Sequence, residues 1–302
     1  MAEETPKNAI TEEQIAGTAL TASSASPSRN ACTSPPLPSF LLSQANKHTV
    51  TALMSHKRTA SPSSPAASKR SLSSHAKNVF RNRDGLGVYI SDPSKHPPSR
   101  VVYYDSDFVA IHDMYPKSSV HTLLLPRDEK FASMHPFDAF EDAEFLAQVR
   151  EQSARLKSIV ASELQRRYGK FSEQDKPREA VLNGEVEIER EEDMPAGRDW
   201  EKDVLVGIHA RPSMNHLHVH VLSKDRYSEW LKHRKHYNSF ATDFFVPLEE
   251  FPLEEDDVRR NPGKEGYLQS DMKCWRCGKN FGNKFASLKE HLKEEFEEWK
   301  GE

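Results

Sequence analysis

The run from Asn215 to Ser223, NHLHVHVLS, sets a histidine at every second position three times over, with Leu217, Val219 and Val221 in the alternate places. Side chains alternate across a β-strand, so a strand here carries His216, His218 and His220 on one face and sends the three aliphatic residues into a core. Three imidazoles sharing a face suit two chemistries. Neutral imidazole is a common zinc ligand. Alternatively, one ring attacks a phosphorus while its neighbours hold phosphate oxygens. A histidine-rich strand without function is the plainer alternative, and the regular alternation disfavours it.

The flanking sequence describes the sheet that such a strand would join. The stretches GVYISDP, RVVYYDSDFVAIHDM and VHTLLLPRD read as short strands rich in Val, Ile and Tyr, broken by Asp-Pro, Asp-Ser-Asp and Tyr-Pro turns. Phe145, Val149, Leu156, Val160 and Leu164 then recur at helical steps, predicting one long helix that ends near Gly169. The acidic stretch from about 170 to 200 has little pattern and reads as an inserted loop. DVLVGIHA and the histidine run are two further strands, joined by the turn at Arg211 to Ser213. Hairpin-linked strands with one dominant helix predict an antiparallel sheet of the α+β class.

At 302 residues with 36% hydrophobic content, the chain has more length than its apolar residues can pack. Residues 1–76 account for the difference. They are dominated by Ser, Thr, Ala and Pro without period, and are expected to be a disordered tail. No apolar run approaches the length needed to span a bilayer, so no membrane partner is expected. Lys57-Arg58 and Lys69-Arg70 form two basic pairs that read either as a split nuclear import signal or as isolated solvated charges. The net charge of −4 conceals a basic, aromatic segment, SKDRYSEWLKHRKHYNSF, lying between two acidic ones. There Lys224, Arg226, Lys232, Arg234 and Lys235 are interleaved with Tyr227, Trp230, Tyr237 and Phe240, the footprint of a surface for a phosphate backbone with stackable bases.

Three cysteines are too few for a disulfide framework, and two of them stand in CWRC. Cys274 and Cys277 are followed after thirteen residues by His291 and after three more by Glu295. This is the layout of a ββα zinc finger with a glutamate in the place of the second histidine. His291 and Glu295 lie one helical turn apart and share a face. Glu294, Glu297 and Glu298 are alternatives on the same acidic helix, but spacing favours Glu295. Four ligands leave no open position, so the expected Zn2+ is structural, presenting Arg276, Lys279 and Lys284 to a nucleic acid.

Two sequence elements carry a family resemblance. The pattern from His216 to Leu222 resembles the signature of the histidine triad (HIT) superfamily of nucleotide hydrolases and transferases, and IHDMYPKSSVHTLLLP resembles that superfamily's first nucleotide-binding element. Together with GIHARPSMNHLHVHVLS, KHYNSF and the zinc module, the chain from about Phe80 onward is similar to the fungal form of the aprataxin family, DNA deadenylases of the HIT superfamily. The forkhead-associated domain of animal members has no counterpart in the tail. The resemblance implies a HIT catalytic domain over 77–250, with the acidic insertion inside it, and a linker and zinc finger over 251–302.

It also implies roles. His218 matches the nucleophile that attacks the AMP phosphorus and becomes transiently adenylylated. His220 and Ser213 match holders of non-bridging oxygens, and His209 a ring whose protonated form would stabilise developing charge. Lys117 and His121 match supports of the phosphate contacts. Asp113 matches the carboxylate that accepts from the ribose hydroxyls, with Ile111 and Met114 walling the adenine; His216 is a supporting residue. Phe80 occupies the place of an aromatic that stacks on a terminal base pair, or else packs ordinarily, and Lys224 joins the DNA-facing cations.

The implied reaction removes AMP from 5′-adenylated DNA ends left by abortive ligation, without a metal in the chemistry. The expected protein is a nuclear monomer that binds nicked or broken DNA, with RNA-DNA junctions as an alternative partner, and releases AMP. Two alternatives keep the same residues: a hydrolase of free dinucleoside polyphosphates or nucleoside phosphoramidates, and a non-catalytic nucleic-acid binder. The zinc module argues against the first and an intact nucleophile position against the second.

Overall fold

The computed structural model describes residues 83–302. The readings made on the Ser/Pro-rich tail, on the two basic pairs and on Phe80 lie outside the described residues.

Six strands form one antiparallel sheet: β1 Val101–Tyr104, β2 Phe108–His112, β3 His121–Pro126, β4 Val204–His209, β5 Val219–Ser223 and β6 Phe245–Pro247, in the spatial order β1-β2-β3-β5-β4-β6. The sheet sides differ in what they bury. Phe108, Ala110, Leu124, Val219 and Val221 point toward the long helix, where they join the main core with Leu146, Val149, Leu156, Val160 and Leu164. Val109, Ile111, Leu123 and Leu125 point the other way and form a second cluster with Leu86 and Tyr89. His121 and His220 belong to this second side. Register aligns Ile111, Leu123, His220 and Gly207 as one row across four strands.

Helix α1, Gly87–Ser91, occupies the stretch expected to be a strand. The β-favouring residues of GVYIS are overridden because this short turn lies across the second sheet side, burying Tyr89 while Val88 stays exposed. Helix α2, Ala143–Tyr168, fits the predicted long helix. Its N-terminus is capped by the Asp142 carboxylate, which accepts from Phe145 N at 3.1 Å, and its C-cap is Gly169.

The acidic insertion is not a plain loop. It contains a helical segment, Lys176–Leu182, and two internal anchors. The buried Asp175 carboxylate accepts from Arg198 N and from Trp200 Nε1, each at 2.8 Å. The Arg198 guanidinium is held near the Trp200 and Trp299 rings, 4.1 and 5.1 Å from their centres, and donates to Asp203 at 2.9 Å.

After helix α3, Arg234–Ala241, the chain reaches the β7–β8 hairpin, Met272–Lys273 and Asn280–Gly282, and then helix α4, Phe285–Gly301. Leu288 and Leu292 of α4 pack with Met272, Cys274, Leu231 and Tyr237. Phe296 and Trp299, one to two turns on, enter the main core beside α2. The C-terminal module therefore shares apolar packing with the sheet domain, and Tyr237 and Asn238 of KHYNSF tie it further by donating to Lys273 O and Ser270 O. No helix among the described residues is long and apolar enough to cross a membrane.

Candidate active site

Strand β5 begins only at Val219, so the expected three-histidine strand is corrected: His216 and His218 lie on the approach to it and only His220 lies within it. The alternation survives, with Leu217, Val219 and Val221 in the main core and the histidines opposite. Irregular backbone before the strand leaves the His216 carbonyl free to accept from a side chain. It does so from His218 Nδ1, at 2.7 Å.

Complementary chemistry fixes where the ring protons lie. A carbonyl only accepts, so His218 carries its proton on Nδ1 and leaves Nε2 with a lone pair. A second chain starts at the Lys117 backbone N–H, which donates to His121 Nδ1 at 3.0 Å. His121 is therefore protonated on Nε2, which lies 2.9 Å from His220 Nδ1 and donates to it. His220 must then hold its proton on Nε2, a buried atom with no hydrogen-bond partner among the described residues. The rings of His218 and His220 are 4.9 Å apart. The pocket thus presents a nucleophilic lone pair beside an unspent N–H donor.

This assignment requires neutral rings, and burial enforces neutrality. His121, His218 and His220 are buried. Desolvation pushes His121 down to about 4, lowers His218 against the opposing pull of its bond to the His216 carbonyl, and holds His220 well below the usual imidazole range. His209, 4.5 Å from His220 between ring centres, is likewise held well below that range by burial. The expectation of a protonated His209 is corrected accordingly: in the unliganded pocket its ring is neutral. Phe240, Phe244 and Phe245 wall it. Gly207 permits that wall, because a Cβ there would lie 2.8 Å from the Phe245 ring.

The Lys117 ammonium bonds the Tyr115 carbonyl and supplies the pocket's fixed cation, depressing His121, His209 and His220. Burial lowers its own pKa. Asp113 accepts from Tyr115 N at 2.7 Å, with its other oxygen 3.6 Å from His121 Nδ1. Asp113, His121 and His220 have the spacing of a metal site. His121 Nδ1 and Nε2 and His220 Nδ1 are already committed to the proton chain, beside a lysine cation, which favours the relay over a cation. Ile111 is fully buried in the row next to Leu123, and Met114 is exposed. Ser213 is exposed on the loop before the triad, where its carbonyl accepts from Arg83 Nε at 3.0 Å. The His216 ring packs directly on Gly87, where a Cβ would lie 2.9 Å from its Nε2.

Sequence reasoning missed Asp225. Its buried carboxylate accepts from Ser119 N at 3.0 Å, from Ser119 Oγ at 2.7 Å, from Tyr227 N at 2.7 Å and from the Ser223 hydroxyl. It pins the Lys117 loop to the end of β5. A lone Asp in SKDRY carries no signal beyond its place one turn after the histidine strand.

In the C-terminal module the ligand atoms of Cys274, Cys277, His291 and Glu295 all lie within 4.8 Å of one another. Cys277 Sγ is 3.1 Å from His291 Nε2, and Glu295 Oε1 is 2.9 Å from the same nitrogen. Two thiols, an imidazole and a carboxylate fit zinc. Glu295 is buried, whereas Glu294, Glu297 and Glu298 are exposed. Its second oxygen accepts from Arg276 at 2.8 Å. Arg276 also pairs with Glu298 and Glu302, so three carboxylates brace its guanidinium. The Lys224 ammonium is engaged by the buried Asp203. Lys279 and Lys284 are exposed.

Residues 94–227 match the HIT domain family, and residues 241–298 match the C2HE / C2H2 / C2HC zinc-binding finger. The aprataxin-like protein of Schizosaccharomyces pombe is 36% identical over 221 residues, covering 72% of this chain and 82% of its own. That of Saccharomyces cerevisiae is 35% identical over 224 residues, covering 71% and 95%. The solved structure of aprataxin ortholog Hnt3 in complex with DNA has a TM-score of 0.55 at 31% identity, over 72% of this chain and 96% of that one. With relatives of this identity matched along most of their length, the chain belongs to the aprataxin family, a HIT domain joined to a zinc-finger module.

Proposed function

We propose that this chain is a DNA-repair deadenylase that removes 5′-AMP from adenylated DNA ends and restores the 5′-phosphate. The observation that carries the reading is the pair of hydrogen-bond chains, from His218 Nδ1 to the His216 carbonyl and from Lys117 N through His121 to His220 Nδ1, which assign a bare Nε2 to His218 and a protonated Nε2 to His220. Attack needs a lone pair and the phosphate oxygens need a donor, and exchanging the two tautomers would disable both. The DNA in the Hnt3 complex supports a nucleic-acid substrate over a free dinucleotide.

In the first displacement, His218 Nε2 forms a bond to the adenylate phosphorus and the P–O bond to the DNA 5′-phosphate breaks. That leaving group is a weak base and departs without a strong acid. The new positive charge on His218 is stabilised through Nδ1–H donating to the His216 carbonyl. Water then attacks the same phosphorus and gives up a proton to solvent, the N–P bond breaks, and AMP leaves with His218 neutral again. His220 and Ser213 hold non-bridging oxygens, and Lys117, set by His121, supplies positive charge. His209 joins them by hydrogen bonding as a neutral ring. Asp113 takes the ribose hydroxyls, Ile111 and Met114 flank the adenine, and His216 acts through its carbonyl.

Cys274, Cys277, His291 and Glu295 hold a structural zinc that orders the hairpin and α4, bringing Lys279 and Lys284 toward DNA. The protein works as a monomer. Its nuclear location rests on the two basic pairs, and substitution of Lys57, Arg58, Lys69 and Arg70 by alanine would redistribute a fluorescent fusion.

The test is AMP release from a nicked duplex carrying a 5′-adenylate, by wild type and His218→Ala, each with and without brief EDTA. Wild type is expected to release AMP in both conditions and His218→Ala in neither. Equal turnover of free diadenosine compounds would replace the substrate assignment, and release by His218→Ala would overturn the nucleophile.

A further inference from the structure

Two large aromatic side chains stand exposed at the rim of the histidine pocket. Tyr115 is 52% exposed and Trp230 is 38% exposed, and their rings meet in a T-shaped contact with centres 5.0 Å apart. Exposed Tyr227 lies flat on Phe296 and exposed Phe171 has two lysine ammoniums over its ring, so those aromatics are already covered. A T-shaped contact uses one ring face. Lys232 Nζ, 5.4 Å from the centre of the Trp230 ring, takes another. Both rings keep exposed surface beyond these two contacts, room for a third ring.

The pair is held on backbone that belongs to the reaction pocket. Tyr115 N donates to Asp113, and the Tyr115 carbonyl accepts from the Lys117 ammonium. The Ser228 hydroxyl donates to Pro116 O at 2.6 Å and accepts from Trp230 N at 3.1 Å, tying both segments together through one oxygen. The aromatic rim is therefore pre-set relative to Asp113 and Lys117, which removes part of the ordering cost of a bound partner. Charge at the rim selects the partner. Between Tyr227 and Tyr237 the chain carries Lys232, Arg234 and Lys235 against the single carboxylate of Glu229. Cations interleaved with exposed rings suit a polyanion whose units carry flat faces.

We propose that Tyr115 and Trp230 form a stacking platform for one nucleobase of the polynucleotide whose end enters the histidine pocket, with Lys232, Arg234 and Lys235 following the adjoining phosphates. The proposal rests on the deadenylase reading and deepens it, because it gives the pocket a means of distinguishing a polymer end from a free nucleotide.

The test is a double-mutant cycle read by binding, so that it does not depend on turnover. A fluorescent nicked duplex with a plain 5′-phosphate is titrated with full-length wild type, Trp230→Ala and Trp230→Phe, and the duplex is then rebuilt with a single abasic nucleotide placed in turn at each position near the nick. Trp230→Ala is expected to weaken binding about ten-fold and Trp230→Phe to restore most of it, in keeping with the usual contribution of one base stacked on an aromatic ring. One abasic position should cost wild type a similar factor and cost Trp230→Ala almost nothing. Additive effects at every position, or full-strength binding by Trp230→Ala, would overturn the platform. So would an equal loss in the affinity for AMP alone, which would place the adenylate, rather than a base of the polymer, on these rings. If the cycle holds while wild type releases no AMP from adenylated ends, the platform stands and the deadenylase reading fails.

Discussion

At the scale of single residues, the pocket works by assigning protons to nitrogens. Each assignment follows from a backbone group that can play only one part: the His216 carbonyl accepts, the Lys117 N–H donates, and His121 passes the second constraint to His220. The alternation of histidines was legible in the sequence. The tautomers were not: that of His220 depends on His121, 99 positions away, and that of His218 on a local carbonyl that is free to accept only because the backbone before β5 is irregular. The neutrality of His209 escaped as well, since a packed wall of Phe240, Phe244 and Phe245 cannot be read from spacing. Burial lowers the pKa of His218, so protonation disables the nucleophile only at pH below the ordinary imidazole value. The acid limb of kcat/KM on adenylated DNA should therefore fall below about pH 6.5, the value of a free histidine; a limb centred above that value would contradict the burial argument.

Among the elements, the strands and the long helix were readable because their apolar periods are strong, as with Leu217, Val219 and Val221 or Leu156, Val160 and Leu164. Residues 87–91 were misread as a strand. Val88, Tyr89 and Ile90 favour extended backbone locally, but the open sheet side beside His216 is better covered by a turn of helix that keeps Gly87 against the His216 ring. The zinc module was legible down to Glu295, but not the bracing of that carboxylate by Arg276. Substitution of such an outer partner commonly costs about ten- to hundred-fold in metal affinity. Arg276→Ala should weaken zinc by a factor of that order in a chelator competition, with Arg276→Lys intermediate; unchanged affinity would show that Glu295 holds its position unaided.

For the whole molecule, the sheet domain and the zinc module share one core through Phe296 and Trp299, and the insertion closes over them with Arg198 between two tryptophans. The amphipathic pattern of α4 could be read from sequence, but not which neighbour its last turns would meet. Concentrating four neutral histidines in one place also makes stability depend on pH. Their folded pKa values lie below the unfolded value, so the unfolded chain binds more protons between about pH 6.5 and the folded values, and stability declines as pH falls through that window. Urea unfolding should show a loss of stability between about pH 7 and pH 4.5, accompanied by proton uptake; a flat profile would contradict the buried, neutral cluster. The most direct measurement of the account is the protonation of the two central rings, read from their ring-nitrogen chemical shifts in protein labelled with 15N histidine at neutral pH. His218 should carry its proton on Nδ1 and His220 on Nε2. A proton on Nε2 of His218, or a charged His218 ring, would contradict the mechanism at its root.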